Sequence, residues 1–244
     1  MGRTLKACIC LALLGAIPSF CQVPAVKAHS PSSEELKILR AAAVSPEFNS
    51  GDGLNLRVCL MHSEDRECNT GSVGDRAFSL EASAHGPSDL LRPAACAADL
   101  VALGRVAGQT SSLSANEATL ITLYNFRVQT LYKAKDETLA GNTISVLRRG
   151  GALNSPEGII RQEDLGVPLL TAGTDYILLL RELAGSGGYV SATDDLDFKA
   201  VVSPGTDGRV ESLKASGRND IQFDSLTKFQ GSLEKALGAC GTGQ

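Results

Sequence analysis

Between Thr119 and Lys133 the chain carries one long amphipathic run, and a strand of that length commits the sequence around it to a β-sheet. Tyr124, Phe126 and Val128 alternate with Asn125, Arg127 and Gln129, which places one face in a core and the other in water. Ile121 and Leu123 fall in the opposite phase. A bulge between the two halves would reconcile them, letting the strand bend and serve both sides of a small barrel. Asp99 to Ala107 reads as a nearly continuous buried strand in which Gly104 marks a bulge or a close backbone approach, and Gly108 to Glu117 reads as a polar loop. Three further strand regions follow. Thr143 to Leu147 ends at the turn Gly150-Gly151, Asp175 to Leu180 is the strongest apolar run, and Phe198 to Val202 pairs with Arg209 to Leu213 through a loop ending in Asp207-Gly208.

Helical spacing appears at both ends. Ser33 to Ala43 predicts a short helix with Leu36, Leu39 and Ala43 on one face, Ser33 as N-cap, and Glu34 and Glu35 in the first turn, packing weakly or fraying. Leu226, Phe229, Leu233, Ala236 and Leu237 predict a C-terminal helix capped by Asp224 and ended by Gly238, packed on the sheet. Between these, Leu54 to Leu60 and Ala77 to Ala82 read as strands flanking a polar loop with Glu64, Asp65, Arg66 and Glu67. Gly86, Pro87 and Pro93 separate this part from the rest. The expected organisation is a leader over 1–28, an N-terminal extension with a hairpin over 29–93, and a β domain with its C-terminal helix over 94–244.

The leader is read from Arg3 and Lys6, followed by the apolar run Ala7 to Phe20. Fourteen residues interrupted by Pro18 are too few to span a bilayer, so the run predicts a cleaved signal peptide, cut after Cys21 or after Ala28. Cleavage after Ala28 leaves 216 residues with 20 basic against 27 acidic side chains, a net charge of −7. That balance disfavours a nucleic-acid or anionic-membrane surface. The expected location is secreted or periplasmic, with no transmembrane segment in the mature chain. Cys59, Cys68, Cys96 and Cys240 remain there, an even number in an oxidising compartment. Four cysteines permit three pairings, and spacing alone does not choose. The preferred set is Cys59 with Cys68, clipping the hairpin, and Cys96 with Cys240, tying the start of the β region to the chain end.

Cys96-Ala97-Ala98-Asp99-Leu100-Val101-Ala102-Leu103-Gly104-Arg105-Val106 resembles the opening strand of netrin-like and tissue-inhibitor-of-metalloproteinase-like domains, where a cysteine precedes an Ala-Asp-Val-Val-type strand. Tyr124-Asn125-Phe126-Arg127-Val128 and Gly173-Thr174-Asp175-Tyr176-Ile177-Leu178-Leu179-Leu180 are similar in order. Exported bacterial proteins of unassigned function share this outline more closely. The resemblance covers roughly residues 96 to 182 and implies a mainly β fold: a five-stranded OB-like barrel with a C-terminal helix and an N-terminal extension. It does not carry over protease inhibition. That activity depends on an N-terminal cysteine, and here the mature chain would begin at His29 or Gln22.

Candidate chemistry is sparse. The three histidines, His29, His62 and His85, fall in segments read as terminus or loop, and no Gly-x-Ser-x-Gly elbow accompanies them. Cys59, His62, Cys68 and His85 could in principle surround zinc, although their spacing is not a standard zinc pattern. Asp194, Asp195 and Asp197 read as a solvated loop rather than a calcium site, and Arg148-Arg149-Gly150-Gly151 as a strand end rather than an anion site. Gly185-Ser186-Gly187-Gly188 lacks the Lys-Ser/Thr of a phosphate loop. The absence of tryptophan argues against a carbohydrate platform or a stacking nucleic-acid groove. The expected function is an exported, non-catalytic β-barrel module binding a protein or envelope component, with no cofactor, no metal and no nucleic-acid partner. The alternative is an exported metal-dependent or hydrolytic enzyme built on the Cys59, His62, Cys68 and His85 region.

Overall fold

A computed structural model describes residues 31–49, 55–61, 66–72, 87–156, 158–164, 169–193, 197–201, 207–213 and 222–240. The chain forms α1 (Ser33–Ala43), α2 (Pro46–Asn49), β1 (Asn55–Met61), β2 (Arg66–Ser72), α3 (Pro87–Ala97), β3 (Leu100–Leu113) and β4 (Leu120–Lys133). It continues through β5 (Thr143–Arg149), β6 (Gly151–Ser155), β7 (Gly158–Asp164), β8 (Asp175–Leu183) and β9 (Gly188–Ser191). β10 (Phe198–Val201), β11 (Arg209–Ser212), β12 (Gln222–Phe223) and α4 (Leu226–Gly238) complete it. The larger sheet runs β12-β11-β10-β8-β3-β4-β5-β9, with β9 also pairing with β8, and the smaller runs β2-β1-β7-β6.

The sheet is buried on both faces along the first halves of β3 and β4 and along most of β8, which explains why these stretches read as nearly continuous apolar runs. On one face Val101, Leu103, Ile177, Leu179, Phe198 and Val210 meet α3 and α4 through Leu91, Ala94, Phe229 and Leu233. Phe198, Phe223 and Phe229 stack edge to face there. The other face gathers Ala102, Val106, Tyr124, Phe126, Val128, Val146, Leu178 and Leu180. Burial pushes the Tyr124 phenol up to about 12, so it stays a neutral group and accepts the Leu170 N–H at 3.3 Å. A third cluster unites Ile38, Leu39 and Ala42 of α1 and Phe48 of α2 with Ile121, Leu123, Leu147, Leu183 and Val190.

That third cluster resolves the phase conflict in β4. Leu123 and Tyr124 are consecutive, point to opposite faces and are both buried, because α1 covers the face that would otherwise be wet. The expected bulge between the halves of β4 is therefore absent at that point. The register against β3 shifts instead between Val101/Ala102, Leu103/Gly104 and Val106/Gly108. β3 also runs on to Leu113, so the polar loop expected from Gly108 begins only at Ser114; Gly108 to Leu113 pair with Leu120 to Asn125 in a hairpin whose ladder outweighs their polarity.

Gly104 has the close approach that its place in a strand implied. A methyl group there would collide with the Arg127 carbonyl and stand 2.7 Å from the Phe126 ring. Because backbone cannot yield cheaply, Gly104→Ala is expected to destabilise the fold by about 1–3 kcal/mol, read as a lower urea midpoint at unchanged slope.

Several local expectations change. The N-cap of α1 is Ser32, not Ser33: its hydroxyl accepts the Glu35 N–H at 3.2 Å while the Glu35 carboxylate accepts the Ser32 N–H at 2.5 Å, a capping box that needs this spacing. The buried stripe is Glu35, Ile38, Leu39 and Ala42, and Leu36 faces solvent. Glu35 misled the pattern because it is buried by a hydrogen bond from the Asn125 amide at 2.6 Å. α1 is thus firmly packed rather than frayed. The cap of α4 is Ser225; Asp224 instead holds the Lys228 ammonium at 2.9 Å.

The expected boundary between residues 93 and 94 falls inside α3. Pro87 occupies the first helical position, where its missing N–H is harmless, and Pro93 lies on the exposed side while Leu91, Ala94 and Ala95 face the core. The N-terminal residues are not an appendage: α1 completes a core cluster and β1 pairs with β7. β2 begins at Arg66, so Arg66 and Glu67 belong to a strand rather than a loop. The strand expected over Ala77 to Ala82 lies outside the described residues, as do the leader and both cleavage positions.

Candidate functional site

β5 and β9 are parallel, and they share one pairing, Val146 opposite Tyr189. Beyond that point both strands continue, and the residues that follow, Leu147, Arg148 and Arg149 from β5 and Val190 and Ser191 from β9, line a cleft. Glu47 and Phe48 of α2 and Asp164 at the end of β7 complete its walls. The cleft is small, with a volume of about 40 Å³, and it opens to solvent.

Its polar groups are held by a connected set of contacts. Arg148 shares the core-facing phase of Ile144 and Val146, and its guanidinium pairs with Asp197, the two side chains being 1% and 6% exposed. Asp197 also accepts the Leu179 N–H at 3.3 Å and the Ser191 hydroxyl at 2.8 Å. Arg149, on the opposite phase, donates its Nε (3.0 Å) and Nη2 to the Glu47 carbonyl. Arg181 of β8 pairs with the Glu47 carboxylate at 2.5 Å. Farther along the same sheet, the Lys135 ammonium at 2.8 Å and the Glu182 N–H hold the Asp99 carboxyl below its usual range. What the cleft presents at its rim is guanidinium and carboxylate, while Leu147 and Val190 pack beneath Phe48.

Asp197 is therefore corrected from a solvated loop residue to a buried partner of Arg148, while Asp194 and Asp195 lie outside the described residues. The Arg148-Arg149 pair ends a strand, as expected, but the two side chains diverge to opposite faces. The phase was legible: an arginine in register with two apolar core positions needs a buried acid. The part of the site that sequence reading missed is Glu47-Phe48, hidden between Pro46 and the turn-rich Asn49-Ser50-Gly51.

The preferred cysteine pairing is found for Cys96 and Cys240, which join the ends of α3 and α4 with Cα atoms 5.4 Å apart. Cys59 is disulfide-bonded, and Cys68 stands directly opposite it in the β1–β2 register. A sulfur in a disulfide is not a thiolate ligand, so Cys59 in this state offers none to zinc. His29, His62 and His85 lie outside the described residues. Disulfide bonding fits an extracytoplasmic location. Among the described residues no helix is long and apolar enough to cross a membrane. No family model matches the chain, and neither a curated protein nor a solved structure matches it.

Proposed function

We propose that the chain is an exported, non-catalytic binding module, an OB-like five-stranded barrel whose cleft takes up another protein or an envelope component. The strand pairing supports the barrel: β8, β3, β4, β5 and β9 each bond to the next, and β9 returns to β8. Taken in chain order as β3, β4, β5, β8 and β9, the first strand bonds the second and the fourth, and the third lies parallel to the fifth, as in a partly open Greek-key barrel. The leader and the disulfides favour export.

The observation that carries the binding role is the cleft itself. Arg149 in its lining and Arg181, which pairs with Glu47 of the lining, are positioned by defined contacts, beside Leu147 and Val190. Fixed charge beside apolar side chains is the usual composition of a recognition site. Full-length processed chain, immobilised with its disulfides formed, should retain a specific component of native extracytoplasmic extract. Arg181→Glu, with unchanged circular dichroism, should retain about tenfold less, a difference of about 1.4 kcal/mol. Equal retention by both chains, or none by either, rejects the reading.

A further inference from the structure

We infer that the cleft at the carboxyl ends of β5 and β9 is a peptide groove filled in cis by α2, and that its partner in trans is an extended protein segment bearing an acidic residue next to an aromatic one. The inference rests on the binding-module reading and specifies its partner.

α2 is four residues long, too short to hold helical shape alone, so its conformation is imposed by what it touches. Phe48 is 2% exposed among Leu147, Val190, Ile121 and Leu123. The Glu47 carbonyl receives Arg149, and its carboxylate receives Arg181. The Asn49 carbonyl and side-chain oxygen receive the amide and backbone N–H of Asn116 at 3.3 and 3.4 Å. A buried aromatic anchor with charge pairing at the rim is how a bound peptide is held. Here the peptide belongs to the same chain.

Charge decides what could replace it. Arg148 is neutralised within the fold by Asp197, leaving Arg149, Glu47 and Asp164 in the lining and Arg181 beside it, paired with Glu47. With α2 in place the cleft is balanced; with α2 withdrawn it carries one excess positive charge above a hole the size of a phenyl ring. An acidic–aromatic pair restores both, and a basic or purely aliphatic segment restores neither. Exchange is open at the rim, where the Arg181 and Glu47 side chains are 36% and 34% exposed.

The test uses the full processed chain and a fluorescent peptide of residues 43–51, Ala-Val-Ser-Pro-Glu-Phe-Asn-Ser-Gly. Fluorescence anisotropy should show the peptide binding Phe48→Ala at least about tenfold more tightly than the parent, whose own α2 competes. The same peptide carrying Glu47→Lys should not bind. Glu47→Ala serves as the opened variant should Phe48→Ala not fold. An opened and folded variant that binds no better than the parent, or that binds the acidic and basic peptides alike, overturns the inference. So does a concentration-dependent dimer of the parent abolished by Phe48→Ala, since the groove would then hold a second copy's segment. Retention of an extract component that is lost in Arg181→Glu, without any peptide binding, defeats this inference and leaves the binding-module reading standing. Peptide binding with no retained component rejects the binding-module reading and with it the partner in trans, leaving only the seating of α2 in the cleft.

Discussion

A chain carrying Cys96→Ala and Cys240→Ala should unfold in urea with about 5 kcal/mol less free energy than its parent, the closure entropy of a loop this long. The bond spans a sequence separation of 144 residues, so it constrains most of the unfolded chain that follows the N-terminal hairpin. The native state should change little. Leu91, Ala94 and Ala95 of α3 still meet Phe229, Leu233 and Ala236 of α4. The Lys133 ammonium still bridges the Ala95 and Cys96 carbonyls at 3.0 and 3.3 Å. Because the effect resides in the unfolded ensemble, the urea slope should rise along with the fall in midpoint, as a more expanded chain exposes more surface. A domain with a total stability of about 5–15 kcal/mol would lose a large share of it. A loss below about 1 kcal/mol would mean that the packing of α3 on α4 already keeps the unfolded ends close, and the entropic account would be wrong.

How far the sequence announced this structure depended on whether burial was one-sided. α4 was legible in its apolar face because only one stripe of it meets the sheet, through Phe229, Leu233 and Ala236. β8, β10 and β11 were legible because their short runs are bounded in the sequence by glycine, proline and aspartate. β6, β7 and β9 were not. Ile159 and Ile160 are adjacent, and Ile159 is exposed, which breaks the alternation of β7, while β9 is four residues following a glycine-rich turn. α3 was hidden by Pro87 and Pro93, which read as linker although one sits at the helix start and the other on the wet side.

The candidate site was legible only in part, and for a related reason. Phase along β5 places Arg148 with Ile144 and Val146, but the acid that answers it, Asp197, lies 49 residues on, beside two other aspartates. Asp197 is held inward by the Leu179 N–H and the Ser191 hydroxyl, contacts that no local pattern announces. α2 owes its form to tertiary contacts and so left no periodic signal at all.

Removing that acid gives the second large effect. Asp197→Ala should cost about 3–5 kcal/mol, because the Arg148 side chain, 1% exposed, would be left as a buried charge without its carboxylate. Two further groups lose their acceptor in the same step, the Leu179 N–H and the Ser191 hydroxyl. Asp197→Asn keeps one acceptor oxygen and should cost less. The double replacement Arg148→Met with Asp197→Leu should recover the part of the loss that comes from the unpaired charge, since an apolar pair avoids desolvating two charges, while the Leu179 N–H and the Ser191 hydroxyl stay without that acceptor. Urea unfolding of the parent, Arg148→Met, Asp197→Leu and the double replacement forms a cycle that isolates the coupling between the two side chains. An Asp197→Ala chain within about 1 kcal/mol of the parent would show that water reaches Arg148 and that the pair is not buried in solution. The cycle also bears on the cleft. Arg148 lines it yet is held by Asp197, so the double replacement should leave peptide capture by an opened cleft intact, whereas Arg181→Glu should abolish it; the two arginines would thereby be sorted into one that supports the strand ends and one that meets the partner.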